Sequence, residues 1–305
     1  MTPAFNALLQ RRPAGVIAAC TVLWALGYPP FPLGILGFAV LAPAMLATRA
    51  LSPRRAFRAW FLAGLAGNAV MYWWIWHVVK VGPPLLVGGG VALLIAFLSL
   101  FNGLTGLALS AAQRSHRRRG LLVLFPAAFA GLEVLRAAGE LSFPWANLAY
   151  ALGDWPVLFQ SVSVWGVYGL TAAMVAANLL LAEALGGGPA ARLRFAGFAA
   201  IVLLLLAHGT ATLRGANDTF APRIGVALVQ PSIPQVRKWD EGYFREVMAK
   251  TYRTLEGPAR DLAPVRGADL IVLPETAVPD FIGTRREVTD SLRSVAAATG
   301  AHVIV

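Results

Sequence analysis

Leu270-Ile271-Val272-Leu273-Pro274-Glu275 is an apolar run that ends on a single carboxylate. A short continuous run of this kind, closed by proline, reads as a buried strand. An acid at its end stands where a catalytic base is expected rather than a packing residue. From the local sequence alone, the alternative is a strand-end carboxylate satisfied by a helix N-terminus or by an arginine. Working outward, 223–230 is an apolar, β-branched strand, 241–255 a helix, 268–273 the strand just quoted, 285–298 a second helix and 301–305 a third strand. That order predicts an α/β domain around a buried sheet over residues 215–305. The chain closes inside its third strand, which would leave backbone donors and acceptors unpaired, so the sequence reads as the N-terminal portion of something longer.

The preceding two hundred residues belong to a different solvent. With 57% hydrophobic and only 13% charged residues, the chain has too little polar surface to cover a soluble globule of 305 residues. A bilayer core takes about 20 apolar residues per helix. Seven runs meet or approach that length: 14–28, 31–47, 59–79, 85–112, 121–138, 162–185 and 195–210. The first is short and is joined to the second by Pro29-Pro30-Phe31-Pro32, so the two are expected to form a tight hairpin. Residues 1–214 therefore read as a transmembrane domain of about seven helices.

The isoelectric point near 10.8 invites a nucleic-acid reading, and the distribution of charge removes it. From Gly215 onward there are 11 basic and 11 acidic residues, so the net +11 lies wholly in the membrane part. Twelve arginines fall in one set of alternate loops: Arg11, Arg12; Arg49, Arg54, Arg55, Arg58; Arg114, Arg117, Arg118, Arg119; and Arg192, Arg194. The opposite set holds only Lys80, Arg136 and Arg214. Basic residues flanking spans are retained in the cytoplasm. The N-terminus is thus expected inside, and everything after Arg214 in the periplasm or outside the cell.

Arg11-Arg12 before an apolar run resembles a signal peptide, and Ile17-Ala18-Ala19-Cys20 loosely resembles a lipoprotein cleavage box. The run continues past Cys20 through Trp24 and Leu26, so an uncleaved first helix is the better reading. Cys20 is the chain's one cysteine, which excludes an intrachain disulfide. Set within a membrane helix among Ala, Val and Leu, it reads as a small core residue and not as a nucleophile.

Four pieces, in order and after this topology, carry a family resemblance: Glu133-Val134-Leu135-Arg136 followed by Phe143-Pro144-Trp145; Trp165-Gly166-Val167-Tyr168-Gly169; Val229-Gln230-Pro231-Ser232-Ile233-Pro234-Gln235 leading to Lys238-Trp239-Asp240; and Leu273-Pro274-Glu275-Thr276-Ala277. Together they resemble the apolipoprotein N-acyltransferases, polytopic bacterial inner-membrane enzymes with an extracytoplasmic nitrilase-like domain. The resemblance implies a polytopic α-helical membrane bundle followed by the N-terminal part of an α/β nitrilase-like (αββα sandwich) domain. It implies acyl transfer from a phospholipid donor to the α-amine of a diacylated apolipoprotein acceptor, through a thioester on a cysteine. The family's catalytic set is Glu, Lys and Cys in chain order. Only the Glu maps here, onto Glu275, so the chain by itself is expected to be inactive.

Chemistry asks for the same set. A free thiol near pKa ~8.5 is mostly protonated at neutral pH, so a base must favour the thiolate, and an oxyanion stabiliser must meet the tetrahedral intermediate. Glu275 would take the proton from the thiol and later from the incoming amine. Trp239, in the Lys-Trp-Asp piece, resembles the family's acceptor- or lipid-contacting loop; otherwise it is a surface anchor or a packing residue.

Other candidates have plainer readings. Glu133 and Arg136 lie three apart on one helical face, where an internal pair would offset the cost of charges near lipid. Phe143, Trp145, Trp155 and Trp165 read as an aromatic belt at the outer interface, or as the lining of an acyl-chain path. His77, after Trp73-Trp74-Ile75-Trp76, reads as an interfacial hydrogen-bonding residue, and His116 lies on the cytoplasmic side. No spacing suggests a metal site, and no cofactor is expected. Gly88-Gly89-Gly90 and Gly186-Gly187-Gly188 lack the strand and the Lys-Ser/Thr of a phosphate loop, so helix packing and a flexible turn are their expected roles.

Two other classes remain on the residues alone. A transporter predicts ionisable groups in the middle of spans, whereas Glu133, Arg136 and Glu183 lie near span ends. A membrane-anchored nitrilase-related amide hydrolase fits the Glu275 strand equally well, but not the seven spans or the Phe-Pro-Trp and Lys-Trp-Asp pieces.

Overall fold

The computed structural model describes residues 3–114, 118–215, 223–234, 238, 241–257, 262–275, 277–278 and 285–305. The chain divides into two compact units, Met1–Ala216 and Asn217–Val305.

The first unit is helical: α1 (Pro3–Arg11), α2 (Pro13–Ala25), α3 (Ala42–Thr48), α4 (Pro53–Met71), α5 (Pro84–Arg114), α6 (Arg118–Arg136), α7 (Pro156–Phe159), α8 (Val162–Leu185) and α9 (Ala191–Gly215). Pro13, Pro53, Pro84 and Pro156 each open a helix, where a fixed φ is already correct and a missing N–H costs nothing. Among the described residues three helices, α5, α8 and α9, are long and apolar enough to cross a membrane. Their 31, 24 and 25 residues exceed the length a bilayer core needs.

The run 31–47 is not one helix. It holds a 3-10 turn over Gly34–Phe38 and then the seven-residue α3. Pro32 and Pro43 interrupt the backbone ladder, and Gly34 is pressed so closely on Ala151 that a Cβ there would lie 1.6 Å from its carbonyl oxygen. The broken stretch is nevertheless core, with Leu41, Ala42, Ala44 and Met45 fully buried. Its freed backbone groups find a side chain: Asn178 of α8 accepts from the Leu41 N–H at 2.9 Å and donates to the Gly37 carbonyl at 2.7 Å. A non-helical backbone in an apolar bundle survives only when such partners exist.

Glycines let α4 and α5 approach. A Cβ at Gly106 would lie 2.4 Å from the Trp60 ring, one at Gly103 2.8 Å from Phe57, and one at Gly64 2.9 Å from Asn102. By contrast, Gly88, Gly89 and Gly90 have nothing within 4 Å of a Cβ position, so the packing role expected of them belongs to these other glycines. Gly187 and Gly188, both at positive φ, form the turn between α8 and α9.

The second unit is a small parallel sheet with two helices. Its strands are β1 (Val226–Leu228), β2 (Leu270–Val272) and β3 (His302–Ile304), in the order β1-β2-β3. The connections carry α10 (Phe244–Glu256) and α11 (Arg286–Thr299). Ala227, Ile271 and Val303 are register partners and share one face. There Ile271 is fully buried among Leu255 of α10 and Val295 of α11. The helices bury Val247, Thr251 and Leu255, and Val288, Leu292 and Val295, at the three-to-four spacing of an amphipathic helix. The opposite face of the sheet is open at its edges, with Leu228 78% and Ile304 53% exposed. Among the described residues this unit therefore has two layers, sheet and helices.

Candidate active site

All three strands run parallel, so their carboxyl ends gather on one edge, where open α/β sheets bind ligands. The ladder continues past the regular strands: the Val229 N–H donates to Val272 O and the Leu273 N–H to Ile304 O, each at 2.9 Å. Pro274 has no N–H to extend it. The chain turns there, with the Ala277 N–H donating to Pro274 O at 3.0 Å. Glu275 is the first residue inside that turn and is exposed, directly beyond the central strand. Leu273 and Ala277 on either side of the turn are buried, so its ends are clamped in the core.

Neighbouring elements hold the same edge. Lys238 donates from Nζ to the Glu275 carbonyl oxygen at 3.1 Å, bringing a cation to the turn. Successive residues of α10 fasten the loops after β1 and β2. Lys250 Nζ donates to Ser232 O at 2.9 Å, and Thr251 Oγ1 donates to Val247 O at 3.0 Å and lies 3.4 Å from Ala277 O. Ser232 has φ 50°, a left-handed conformation that the Lys250 contact helps to fix. Beside it Ile233, Pro234, Tyr243 and Glu246 complete the walls of a cleft of about 180 Å³. The arrangement presents a carboxyl-bearing turn, a lysine and an adjoining cleft on one edge. It can accept a proton, but it contains no nucleophilic sulfur, because Cys20 is buried in the helical unit.

Trp239, Asp240, Gln235 and Thr276 lie outside the described residues, as does His116. In the sequence Lys238 reads only as part of the Lys-Trp-Asp motif. Its bond to Glu275 O links positions 37 apart, and nothing in local periodicity signals it.

In the helical unit, Glu133 and Arg136 act on each other through their charges but make no direct salt bridge, and each takes its hydrogen bonds elsewhere. Glu133, 5% exposed, accepts from the Leu148 N–H at 2.7 Å and from Thr171 Oγ1 at 2.8 Å. Arg136 donates to Asn147 Oδ1 at 2.6 Å. Both thus grip the segment that follows α6, while Arg136 Nε is buried without a hydrogen-bond partner among the described residues. That segment carries an aromatic cluster. Trp145 stacks on Trp74 at 4.8 Å between ring centroids, Phe143 meets Tyr72 edge-on at 5.2 Å, and Tyr72 donates to Trp145 O at 3.2 Å. Trp165, by contrast, is 67% exposed. His77 Nδ1 lies 3.2 Å from Trp74 O, with its ring edge-on to Trp73.

Comparison with known proteins adds a second line. The family model described as the apolipoprotein N-acyltransferase N-terminal domain matches residues 20–180. Similar curated proteins include an apolipoprotein N-acyltransferase of Geobacter metallireducens, 33% identical over 286 residues, covering 92% of this chain and 54% of that protein. One of Gloeobacter violaceus is 33% identical over 290 residues, covering 90% and 53%. One of Haemophilus ducreyi is 26% identical over 302 residues, covering 95% and 57%. The chain spans about half the length of the curated relatives it matches.

Proposed function

The chain belongs to the apolipoprotein N-acyltransferase family, and from that premise we propose that it supplies the membrane bundle and the base-bearing part of an enzyme that moves an acyl chain from a phospholipid to the α-amino group of the N-terminal diacylglyceryl-cysteine of lipoproteins. The observation that carries the reading is Glu275, set in a clamped turn at the carboxyl end of the central parallel strand.

In the first half-reaction, a cysteine thiol supplied by the complete protein gives its proton to the Glu275 carboxylate, and the thiolate attacks the sn-1 ester carbonyl. The tetrahedral intermediate collapses to a thioester, and the lysophospholipid alkoxide leaves with the proton returned by Glu275. In the second, the lipoprotein amine attacks the thioester carbonyl, gives its excess proton to Glu275, and the thiolate departs. The Lys238 ammonium, bonded to the backbone of the same turn, holds the carboxylate's platform in place. Trp239, the next residue in the chain, is assigned to contact with the lipid or the acceptor.

The same reading places the protein in the bacterial inner membrane as a multi-pass protein, with residues 1–214 as the membrane domain, the N-terminus cytoplasmic and residues 215–305 periplasmic. It rests on the three long apolar helices and on the concentration of arginines in alternate loops. Both substrates are anchored in one leaflet, and a membrane-held site meets them without extracting acyl chains into water, at a cost of ~0.8 kcal/mol per methylene.

The test is Glu275→Gln in the complete protein, with transfer from phospholipid to a diacylated lipopeptide as readout. Loss of about 10²-fold or more in rate is expected, and lipopeptide acylation at the wild-type rate would remove the proposal. The 305-residue chain alone is expected to give no transfer above background, because its one cysteine is buried in the helical unit.

A further inference from the structure

Three arginines from three separate connections meet at one end of the helical unit. Arg49 follows α3, Arg114 closes α5 and Arg194 lies in the first turn of α9, and all three line one cavity of about 280 Å³. If these residues served only to orient spans by their charge, they would extend into water. Instead the side chains of Arg49 and Arg194, 39% and 30% exposed, fold back onto Glu183, and Arg114, though exposed, turns onto the Leu51 carbonyl.

A single carboxylate serves them. Arg49 Nη2 pairs with Glu183 Oε1, and Arg194 Nη1 lies 3.5 Å from Glu183 Oε2. Arg114 is held by uncharged groups, donating to Leu51 O at 2.7 Å and lying 3.5 Å from Ser110 Oγ. Three guanidinium groups against one carboxylate leave the cavity positive. The same wall contains Gln113, whose Nε2 donates to Met45 O at 2.9 Å, while its Oε1 is buried with no partner among the described residues. Leu121, Leu122 and Leu180 supply an apolar side.

We propose that this cavity binds the phosphate-bearing headgroup of an anionic phospholipid from the leaflet at that end of the bundle. The guanidinium forks match phosphate oxygens, and the excess positive charge favours a headgroup with net negative charge. The unsatisfied Gln113 oxygen is an acceptor for a headgroup hydroxyl, as in a phosphoglycerol. The leucines meet the start of the acyl chains. The volume lies just under the usual range of small-molecule sites, ~300–1,000 Å³, which suits a headgroup rather than a whole lipid. Basic pockets between membrane helices on the side rich in Lys and Arg are established lipid-headgroup sites in general. The site lies wholly within the helical unit and does not depend on the acyl-transfer reading.

The experiment uses the full chain, purified and delipidated in a neutral detergent. Phosphatidylglycerol, phosphatidylcholine and inorganic phosphate are titrated separately, with binding read by native mass spectrometry and by the unfolding midpoint. Phosphatidylglycerol is expected to bind and raise the midpoint, phosphatidylcholine to bind more weakly, and inorganic phosphate to leave the midpoint unchanged. Arg114→Gln should weaken phosphatidylglycerol about fivefold, and Arg114→Gln with Arg194→Gln about thirtyfold. Leu122→Trp fills the cavity from its apolar side without changing charge, and should abolish the effect in a protein that still folds. Equal phosphatidylglycerol affinity in the wild type and Leu122→Trp would overturn the proposal. So would equal affinity for the two lipids, or full stabilisation by inorganic phosphate alone, which would mark a free-phosphate site. Should the arginine variants fail to fold, the Leu122→Trp arm decides by itself.

Discussion

Glu133 takes the backbone N–H of Leu148 at 2.7 Å on one carboxylate oxygen and, through its other oxygen, the Thr171 hydroxyl at 2.8 Å, so a single buried acid joins α6, the segment after it and α8. The join has a second rivet. Tyr28 donates to the carbonyls of Ala146 and Asn147 at 3.1 and 2.9 Å, and receives Trp24 Nε1 at 3.1 Å. Phe143 and Trp145 are therefore presented by a braced loop, which makes an ordered aromatic surface out of a stretch with little regular structure.

Removing the brace should be costly. Glu133→Ala leaves the Leu148 N–H and the Thr171 hydroxyl buried without their acceptor, an expected loss of about 2–4 kcal/mol. Glu133→Gln keeps one acceptor oxygen and should lose about half of that. Unfolding in detergent, followed by tryptophan fluorescence, measures both; an Ala variant as stable as the wild type would show that the carboxylate fastens nothing.

The order of elements after Gly215 was legible because each carries its own period. A continuous Leu-Ile-Val run and two amphipathic helices name themselves, and β2, α10 and α11 fall within two or three residues of where the pattern puts them. The long helices α5, α8 and α9 were legible for the same reason, being uniformly apolar. What the pattern concealed are the contacts between distant positions. Hydropathy showed 31–47 as one apolar run, yet its prolines break it and Asn178, 137 positions beyond Leu41, makes the break tolerable. Glu133 and Arg136 look like mutual partners because they are three apart, while their hydrogen bonds go to Leu148 and Asn147 in the segment after α6 and to Thr171 of α8, which no local period signals. At the candidate site, Glu275 was readable from its strand, and the grip of Lys238 on its carbonyl was not.

That grip predicts a positioning role for Lys238 in the complete protein. Lys238→Met removes the donor to Glu275 O and frees the turn to sample other placements of the carboxylate, with an expected fall in acyl transfer of about tenfold at unchanged lipid KM. Lys238→Arg keeps a cationic donor and should recover most of the rate. A kcat equal to wild type in Lys238→Met, or a change confined to KM, would assign the lysine elsewhere.

Two glycines of the helical unit should respond oppositely to the same change. A Cβ at Gly34 would sit 1.6 Å from the Ala151 carbonyl oxygen, and backbone cannot yield as a side chain can, so Gly34→Ala is expected to destabilise by about 3 kcal/mol or more. Gly88 has open space at that position within α5, where Ala is the better helix former, and Gly88→Ala should be neutral or stabilising by up to ~1 kcal/mol. Midpoints of the two variants under one detergent condition give the comparison, and equal shifts would show that the close approach at Gly34 relaxes freely.

Asn178 tests whether the broken run is held by its side-chain caps or merely by burial. Its Oδ1 serves the Leu41 N–H, and its Nδ2 serves both Gly37 O at 2.7 Å and Met174 O at 2.9 Å, all in a fully buried setting. Asn178→Leu keeps the volume and strands those backbone groups where no water replaces the amide, for an expected cost of about 2–5 kcal/mol. Asn178→Asp retains the acceptor for Leu41 but turns an oxygen toward the Gly37 carbonyl, so it should cost as much or more, unlike a change in packing alone. If burial were the only requirement, Leu would be tolerated and Asp would not; comparable losses in both variants, read as unfolding midpoints, are what the capping geometry demands.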